Sequence, residues 1–310
     1  MIRRSMISGV LVSLATLVVG SGHALGQASP DVPSSAPTPA PTPDELALLR
    51  DASTRMTVKV EINGQGPYPF IIDTGADRTV ISRELAGSLD LKPGAPVDLV
   101  STGGVDRVQT AAIDSLTVGA RTIRAVDAPV LAAHDLGAEG MLGLDSLAGQ
   151  RIVMNFKTGL MESVTSQADH YDDMTVIVRA RSRYGGLILV DAKIRGVAVY
   201  VILDTGSQSS IGNSVLRSLL RRNGLSDMAS SEVVSVTGRH TPVEIERVGR
   251  ANIGPLVIDN MALAFADLST FSRFHLEDKP ALLLGMDVLA LCKSVSIDFA
   301  RREVAFELKS

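Results

Sequence analysis

The feature that most constrains the fold of this chain is an internal duplication. The segment Phe70–Ala76 reads FIIDTGA, and a near copy, VILDTGS, returns at Val201–Ser207. A second pair of segments follows in the same order, with MLGLDSL at Met141–Leu147 and LLGMDVL at Leu283–Leu289. Because both pairs keep the same order along the chain, we expect two similar folded units.

Each unit is predicted to consist of β-strands. Apolar residues alternate with polar ones ahead of both DTG triplets, at Met56, Val58, Val60 and Ile62 and again at Ile188, Val190, Ala192 and Ile194. Such alternation is typical of half-buried strands, so each triplet is expected to follow a β-hairpin. Ser82 and Asn213 precede short helical patterns and are predicted N-caps. Strand patterns dominate throughout, which indicates an all-β class.

The sequence divides into five predicted parts. Residues 1–26 combine two arginines, an apolar run and small residues, which is typical of a secretory signal peptide; the run is shorter than the ~20 residues that a membrane span needs. Residues 27–53 are rich in Pro, Ser and Ala and are expected to form a spacer, or alternatively a regulatory pro-segment. Two lobes are predicted at 54–164 and 175–310, with an acidic linker at 165–174. We therefore expect an exported protein, either periplasmic or secreted.

Composition argues against several functional classes. The net charge is −4 with no basic run, and aromatic residues make up only 4%, so no nucleic-acid partner is expected. The histidines form no H-E-x-x-H pair, so no metal site is predicted, and no cofactor is expected. Cys292 is the only cysteine, so no intrachain disulfide can form, and its apolar neighbours predict a buried structural thiol.

The duplicated triplet predicts a pair of catalytic carboxylates, Asp73 and Asp204. A single DTG triplet is weak evidence, because these residues are common in turns. Burying a carboxylate without a partner is costly, so two carboxylates at the ends of equivalent strands are expected to face each other. Two such groups share a proton, and one can accept a proton from water while the other polarises a carbonyl group.

The remaining triplet residues are expected to support these carboxylates. Thr74 and Thr205 are suited to hydrogen bonding across the two loops. Gly75 and Gly206 allow the chain to turn tightly beside the pair.

The motifs resemble those of retropepsin subunits. Ile72–Ala76 with the later Met141–Gly143 is similar to one subunit, and the second copy is similar to another. The resemblance extends over nearly all of 54–308 and implies two β-barrel lobes with an active-site cleft between them. It also implies one catalytic aspartate per lobe and an apolar-apolar-Gly strand behind each catalytic loop. The joining of both lobes in one chain is similar to pepsin. The implied function is that of a monomeric aspartic-type endopeptidase acting on peptides or proteins.

The resemblance further implies a β-hairpin flap that closes over the substrate. Its position falls near 101–105, with Gly103 and Gly104 at the tip, and a counterpart falls near 235–239, with Gly238. Neither tip contains Tyr, which departs from the pepsin pattern. The sequence leaves open whether one flap or two operate.

The residue after each triplet differs, being Ala76 in the first copy and Ser207 in the second. In the family this side chain points toward the outer oxygen of its own aspartate. A hydroxyl there can donate a hydrogen bond and stabilise the charged form, whereas a methyl group cannot. The sequence therefore predicts that Asp204 acts as the base and that Asp73 carries the proton.

Two other functions remain open at this point. A protein with this fold can bind peptides without cutting them. A latent enzyme that is activated by removal of its N-terminal segment is a further alternative.

Overall fold

A computed structural model describes residues 10–12, 15–18, 56–119, 121–147, 149–166, 175–183, 186–189, 192–222, 227–254 and 256–309. The predicted signal peptide, spacer and linker, at 1–26, 27–53 and 165–174, lie largely or wholly outside these residues. Strands dominate the described chain, which confirms the all-β class.

The two lobes are built from strands joined by short helices. The strands before the second lobe are β1 (Val10–Val12), β2 (Ala15–Val18), β3 (Thr57–Ile62), β4 (Gln65–Ile72), β5 (Val80–Ser82), β6 (Val97–Ser101), β7 (Gly104–Val108), β8 (Thr110–Val118), β9 (Arg121–Leu131), β10 (Gly140–Leu142), β11 (Gln150–Asn155) and β12 (Leu160–Thr165). The strands from the second lobe are β13 (Thr175–Arg179), β14 (Arg181–Arg183), β15 (Gly186–Leu189), β16 (Ala192–Ile194), β17 (Val197–Ala198), β18 (Tyr200–Leu203), β19 (Ile211–Gly212), β20 (Asp227–Ser235), β21 (His240–Arg247), β22 (Ala251–Ile253), β23 (Leu256–Ile258), β24 (Ala262–Phe265), β25 (Ala281–Leu284), β26 (Ser294–Asp298) and β27 (Glu303–Glu307). The helices are α1 (Arg83–Ser88), α2 (Ala133–Leu136), α3 (Leu144–Leu147), α4 (Ser214–Arg222), α5 (Ser269–Arg273) and α6 (Met286–Leu289).

The first lobe contains a closed barrel with the strand order β10-β4-β3-β8-β9-β5. Along β3 the side chains alternate between exposed and buried, and Val58, Val60 and Ile62 point into the core. The predicted hairpin ahead of the first triplet is confirmed, because β3 pairs with β4 in antiparallel fashion. Asp73 follows directly after the last residue of β4.

In the described residues, the strands of the second lobe form two sheets. The larger sheet has the order β14-β15-β18-β25-β19-β24-β21-β20-β2, and the smaller has the order β17-β16-β22-β23. Strand β18 ends one residue before Asp204, as β4 ends one residue before Asp73. The predicted N-caps are also confirmed at equivalent places, since Ser82 Oγ accepts from the Leu85 N–H at 3.0 Å and Asn213 Oδ1 accepts from the Leu216 N–H at 2.9 Å.

A glycine-ended strand passes behind each triplet. Strand β10 lies between β4, to which it is parallel, and β5, to which it is antiparallel; β25 lies between β18 and β19 in the same way. A methyl group on Gly143 would lie 2.4 Å from the carbonyl carbon of Arg78, and one on Gly285 would lie 2.7 Å from that of Ser209. Glycine is therefore needed at Gly143 and Gly285, because the backbone of the catalytic loop lies directly against the Cα of each.

The lobes are joined by one five-stranded sheet with the order β12-β11-β26-β27-β13. Its centre is the antiparallel pairing of β11 from the first lobe with β26 from the second. Ile152 and Met154 on β11, and Val295 and Ile297 on β26, are fully buried. Since this sheet contains strands of both lobes, it fixes their relative position beneath the cleft.

Two further hairpins carry the predicted flap tips. The first flap is the hairpin β6–β7, and the second flap is the hairpin β20–β21. Strand β1 pairs with β6 in parallel, and β2 pairs with β20 in antiparallel fashion. None of the helices in the described part of the chain has the length and apolar character to cross a membrane.

Candidate active site

Asp73 and Asp204 occupy equivalent, fully buried positions. The Asp73 N–H donates to the Leu142 carbonyl at 3.0 Å, and the Asp204 N–H donates to the Leu284 carbonyl at 3.0 Å. Each aspartate is thus tied to the strand that passes behind its own triplet. This explains why the two short motifs of each copy belong together: one carries the carboxylate, and the other holds its backbone.

Backbone donors orient both carboxylates. The Gly75 N–H donates to Asp73 Oδ1 at 2.7 Å, and the Gly206 N–H donates to Asp204 Oδ1 at 2.9 Å. The Ser207 N–H also donates to Asp204 Oδ1, at 3.1 Å. Glycine after Asp and Thr allows each loop to turn so tightly that the glycine amide points back toward the carboxylate.

The pKa of Asp73 lies well above its ordinary value. Complete burial is the largest cause, and the neighbouring charge of Asp204 and a side-chain hydrogen bond with Asp204 raise it further. Hydrogen bonds from the backbone of Gly75 and Ala76 oppose this shift. Two carboxylates that interact this closely hold one proton between them over a wide pH range.

The two threonines join the triplets across the lobes. Thr74 N–H donates to Thr205 Oγ1, and Thr205 N–H donates to Thr74 Oγ1, both at 3.2 Å. Each hydroxyl then donates to the opposite strand, Thr74 Oγ1 to the Leu203 carbonyl at 2.8 Å and Thr205 Oγ1 to the Ile72 carbonyl at 2.7 Å. The cross-loop bonds expected from the sequence are therefore present, and they hold the two carboxylates at a fixed separation.

Gly206 is in direct contact with the opposite carboxylate. A methyl group at this position would lie 2.3 Å from Cγ of Asp73 and 2.5 Å from its Oδ2. No side chain fits there, so the glycine is required by the approach of the two half-sites as well as by the turn.

The role predicted for the Ser207 hydroxyl is wrong. Its oxygen donates to the Ser209 carbonyl at 2.8 Å, and a hydroxyl has a single hydrogen to donate. The buried carbonyl two residues along the loop competes for that hydrogen, because a buried acceptor needs a donor. Ser207 contacts Asp204 through its backbone N–H instead. Ser207 and Ala76, its counterpart in the first loop, are both fully buried.

A second, duplicated hydrogen-bond network lies behind the triplets and was missed by the sequence analysis. Thr79 Oγ1 donates to Asp145 Oδ1 at 2.8 Å and accepts from the Gly143 N–H at 3.3 Å. In the second lobe, Ser210 Oγ donates to Asp287 Oδ1 at 2.6 Å and accepts from the Gly285 N–H at 3.0 Å.

The signal for this network was present in the sequence. A hydroxyl residue stands six positions after each catalytic aspartate, and an aspartate stands two positions after each crossing glycine. Burial raises the pKa of Asp287, although hydrogen bonds from Ser210 oppose the shift. These carboxylates anchor the catalytic loops to the crossing strands.

One charged pair beside the site is not duplicated. Arg273 of α5 donates through Nε to Asp77 Oδ2 at 3.1 Å, and its Nη2 contacts Asp77 Oδ1. The pair links the second lobe to the first catalytic loop, four residues beyond Asp73. Burial lowers the pKa of Arg273 to about 10, while the charge of Asp73 acts in the opposite direction. The position equivalent to Asp77 is Gln208.

Both predicted flap positions lie at hairpin turns. Gly103 and Gly104 lie at the turn of the first flap, and Gly238 lies at the turn of the second. Gly104 and Gly238 have φ values of 127° and 74°, which favour glycine. The two turns also contact each other, since Arg239 Nη2 donates to Asp106 Oδ1 at 2.5 Å.

Among the described residues, no three or more His, Cys, Asp or Glu side chains are grouped to hold a metal ion. The predicted burial of Cys292 is confirmed, and burial raises the pKa of its thiol to about 11. A thiol that stays protonated and inaccessible is a poor nucleophile.

Comparison with known protein families gives two matches in tandem. A family model of the gag-polyprotein aspartyl protease matches residues 58–149, and a family model described as aspartyl protease matches residues 190–288. No curated protein matches the chain. Each match contains one DTG triplet and its crossing strand. The chain therefore belongs to the retropepsin-like aspartyl protease family and carries two of its protease domains in tandem.

Proposed function

We propose that this protein is an exported aspartic endopeptidase that hydrolyses peptide bonds with Asp73 and Asp204. The observation that carries the proposal is the reciprocal threonine bonding at 3.2 Å, which brings two buried DTG aspartates together from the two lobes. Burying two carboxyl groups costs free energy, because both lose their contact with water. A protein that only binds peptides does not require two such groups at its centre.

The raised pKa of Asp73, caused by burial and by the neighbouring Asp204, supports one proton shared by the pair. The ionised aspartate would take a proton from water while the water oxygen bonds to the peptide carbonyl carbon, and the protonated aspartate would donate its proton to the carbonyl oxygen. Collapse of the tetrahedral intermediate breaks the C–N bond. The amine then leaves with the proton that was taken from water, and the other aspartate recovers its proton from a hydroxyl group of the intermediate.

Both half-sites lie on one chain, which favours action as a monomer. The substrate would be an extended peptide or an unfolded protein, because the cleft lies between two lobes beneath two hairpins. Export is supported by the charged and apolar N-terminal sequence. Delivery to the periplasm and release from the cell are both compatible with it.

The test is cleavage of an unfolded protein between pH 3 and 7, with and without pepstatin. Asp73→Asn and Asp204→Asn should each abolish cleavage, and the double variant should be no worse than either, because the two residues act as a unit. Asp278→Asn, at an exposed position, is the matched control and should cleave normally.

Binding of the same substrate by wild type without any cleavage would favour the peptide-binding alternative. Cleavage that appears only after loss of the N-terminal segment would identify a latent enzyme. Pepstatin-sensitive turnover by either single variant would contradict the shared pair of aspartates.

A further inference from the structure

The two flap tips carry opposite charges at positions that are not equivalent. Ser101 and Ser235 occupy equivalent places at the ends of β6 and β20, and Gly104 and Gly238 follow at the same spacing. By this alignment, Arg239 of the second flap corresponds to Val105 of the first, and Asp106 of the first corresponds to His240 of the second. Duplication of one flap sequence therefore does not account for the charged pair.

The pair joins the two flaps directly. Arg239 Nη2 donates to Asp106 Oδ1 at 2.5 Å. The side chains of Asp106 and Arg239 are 24% and 53% exposed, so the contact lies at the surface of the closed arrangement. A contact of this kind is open to water and salt, and it can break and re-form.

The backbone and the small side chains of the tips fit together closely. A methyl group on Gly103 would lie 2.6 Å from Cβ of Arg239 and 2.8 Å from Ser235 Oγ. Ser101 Oγ lies 3.5 Å from Thr237 Oγ1. The first tip therefore packs directly against the second, and the ion pair lies at the edge of that contact.

Each tip also contacts the opposite lobe. Ser269 Oγ of α5 donates to the Ser101 carbonyl at 2.8 Å. A methyl group on Gly238 would lie 3.3 Å from Asp135 Oδ1 of α2. Val236 of the second flap is fully buried and packs in one cluster with Leu99 of the first flap and Ala76 of the first catalytic loop. The flaps therefore meet above the first half-site in a closed state.

We propose that Asp106 and Arg239 are positioning residues that couple the two flaps, so that both close and open together over a bound peptide. The inference rests on the proposed peptidase function. The reciprocal positions in the two flaps are occupied by Val105 and His240, so this contact between a carboxylate and a guanidinium forms once across the two tips. Closure by both flaps answers the question that the sequence left open.

The kinetic test is a double-mutant cycle with Asp106→Asn, Arg239→Gln and the double variant. Each single variant should raise KM for a peptide by about two- to fivefold with kcat unchanged, as expected for an exposed pair. The double variant should be no worse than a single one, because the interaction can be lost only once. Arg239→Lys, which keeps the charge, should recover part of the loss.

The matched control is an ion pair inside the first flap. Arg107 Nη1 bonds to Asp98 Oδ1 at 2.9 Å across β6 and β7, and both residues belong to the same hairpin. Asp98→Asn and Arg107→Gln should leave KM unchanged. Equal effects from the control pair, or full additivity of Asp106→Asn with Arg239→Gln, would overturn the coupling of the flaps.

A second measurement separates this inference from the proposed function. Spin labels on cysteines replacing Arg107 and His240, which are 65% and 55% exposed, report the distance between the flaps without any catalysis. The native pair should give one short, narrow distance distribution. Asp106→Asn, or about 1 M salt, should add a longer component. An unchanged distance distribution would contradict the coupling of the flaps even if the protein cleaves peptides. A changed distance distribution would support that coupling even if the protein does not cleave peptides.

Discussion

The two catalytic loops are alike where they hold the aspartates and different where they meet their surroundings. Both use the same threonine bonds, the same glycine amide and the same backbone bond to the crossing strand. The first loop is paired with an arginine from the other lobe, through Asp77 and Arg273, whereas the second loop has the uncharged Gln208 at the position of Asp77. The features that place the carboxylates are thus duplicated, whereas the charges around them are not.

This difference has a physical reason. The separation of two carboxylates that share a proton must be fixed from both sides, and a defect in either loop disturbs both groups. The charges around the pair are under no such constraint. A cation beside the first loop alone favours the ionised form of Asp73.

The largest expected loss of activity comes from a substitution that introduces a steric clash into one loop only. Gly206→Ala places a methyl group 2.3 Å from Cγ of Asp73, where neither group has room to move because both are buried. We expect kcat/KM to fall by at least ~100-fold, since small displacements of reacting groups are this costly.

Gly87→Ala is the control for that change. Gly87 lies in α1, and a methyl group there would meet no atom within 4 Å. The control should keep full activity and a similar melting temperature. A Gly206→Ala protein that remained folded and lost less than tenfold in kcat/KM would show that the two half-sites are further apart in solution.

The next effect tests the unequal charges. Arg273→Met removes the partner of Asp77 and leaves that carboxylate beside the first catalytic loop without its cation. We expect kcat/KM to fall by about tenfold, which corresponds to ~1.4 kcal/mol. The acid limb of the pH–rate profile should move to higher pH, because loss of a cation near Asp73 disfavours the ionised dyad.

Arg250→Met is the matched control, since Arg250 bonds to Asp259 at 2.7 Å in an exposed pair away from the triplets. It should leave both the rate and the pH profile unchanged. An acid limb that stays in place in Arg273→Met, with the rate reduced, would assign Arg273 a purely structural role.

The sequence predicted the duplicated features well and the single ones poorly. The strands, the helix caps and the threonine bonds were predictable because each appears twice at the same spacing. The Asp77–Arg273 pair was not, because its members lie 196 residues apart and meet only when the lobes dock. The same holds for Asp106 and Arg239, whose contact depends on how the two hairpins meet.

A smaller effect concerns stability and follows from the raised pKa of Asp73. The folded protein binds this proton more tightly than the unfolded chain does, so its stability declines as the pH rises above the ordinary carboxyl range toward the folded pKa. Asp73→Asn removes an ionisable group that is unfavourable when charged. We therefore expect the variant to unfold at a higher temperature than wild type at pH 7.

The difference should vanish near pH 3, where the carboxyl group is neutral in both states. Each unit by which folding raises the pKa of Asp73 lowers the stability of the wild-type protein by ~1.4 kcal/mol at neutral pH. Asp278→Asn, at an exposed site, should show no such pH-dependent gain. A lower melting temperature for Asp73→Asn at pH 7 would mean that the charged carboxylate is stabilised in the folded protein.

The smallest expected effect concerns the residue after each triplet, where the sequence led to the wrong partner. The Ser207 hydroxyl donates to the Ser209 carbonyl at 2.8 Å, and Asp204 keeps its bonds from the Gly206 and Ser207 amides whatever the side chain is. Ser207→Ala should cost ~1 kcal/mol of stability through the lost buried bond, with the acid limb of the pH–rate profile unmoved. Titration of the rate and thermal unfolding of the same variant measure the two quantities separately. An acid limb that moved upward would show that the hydroxyl turns toward Asp204 during turnover, and the two loops would then differ at the carboxylate itself.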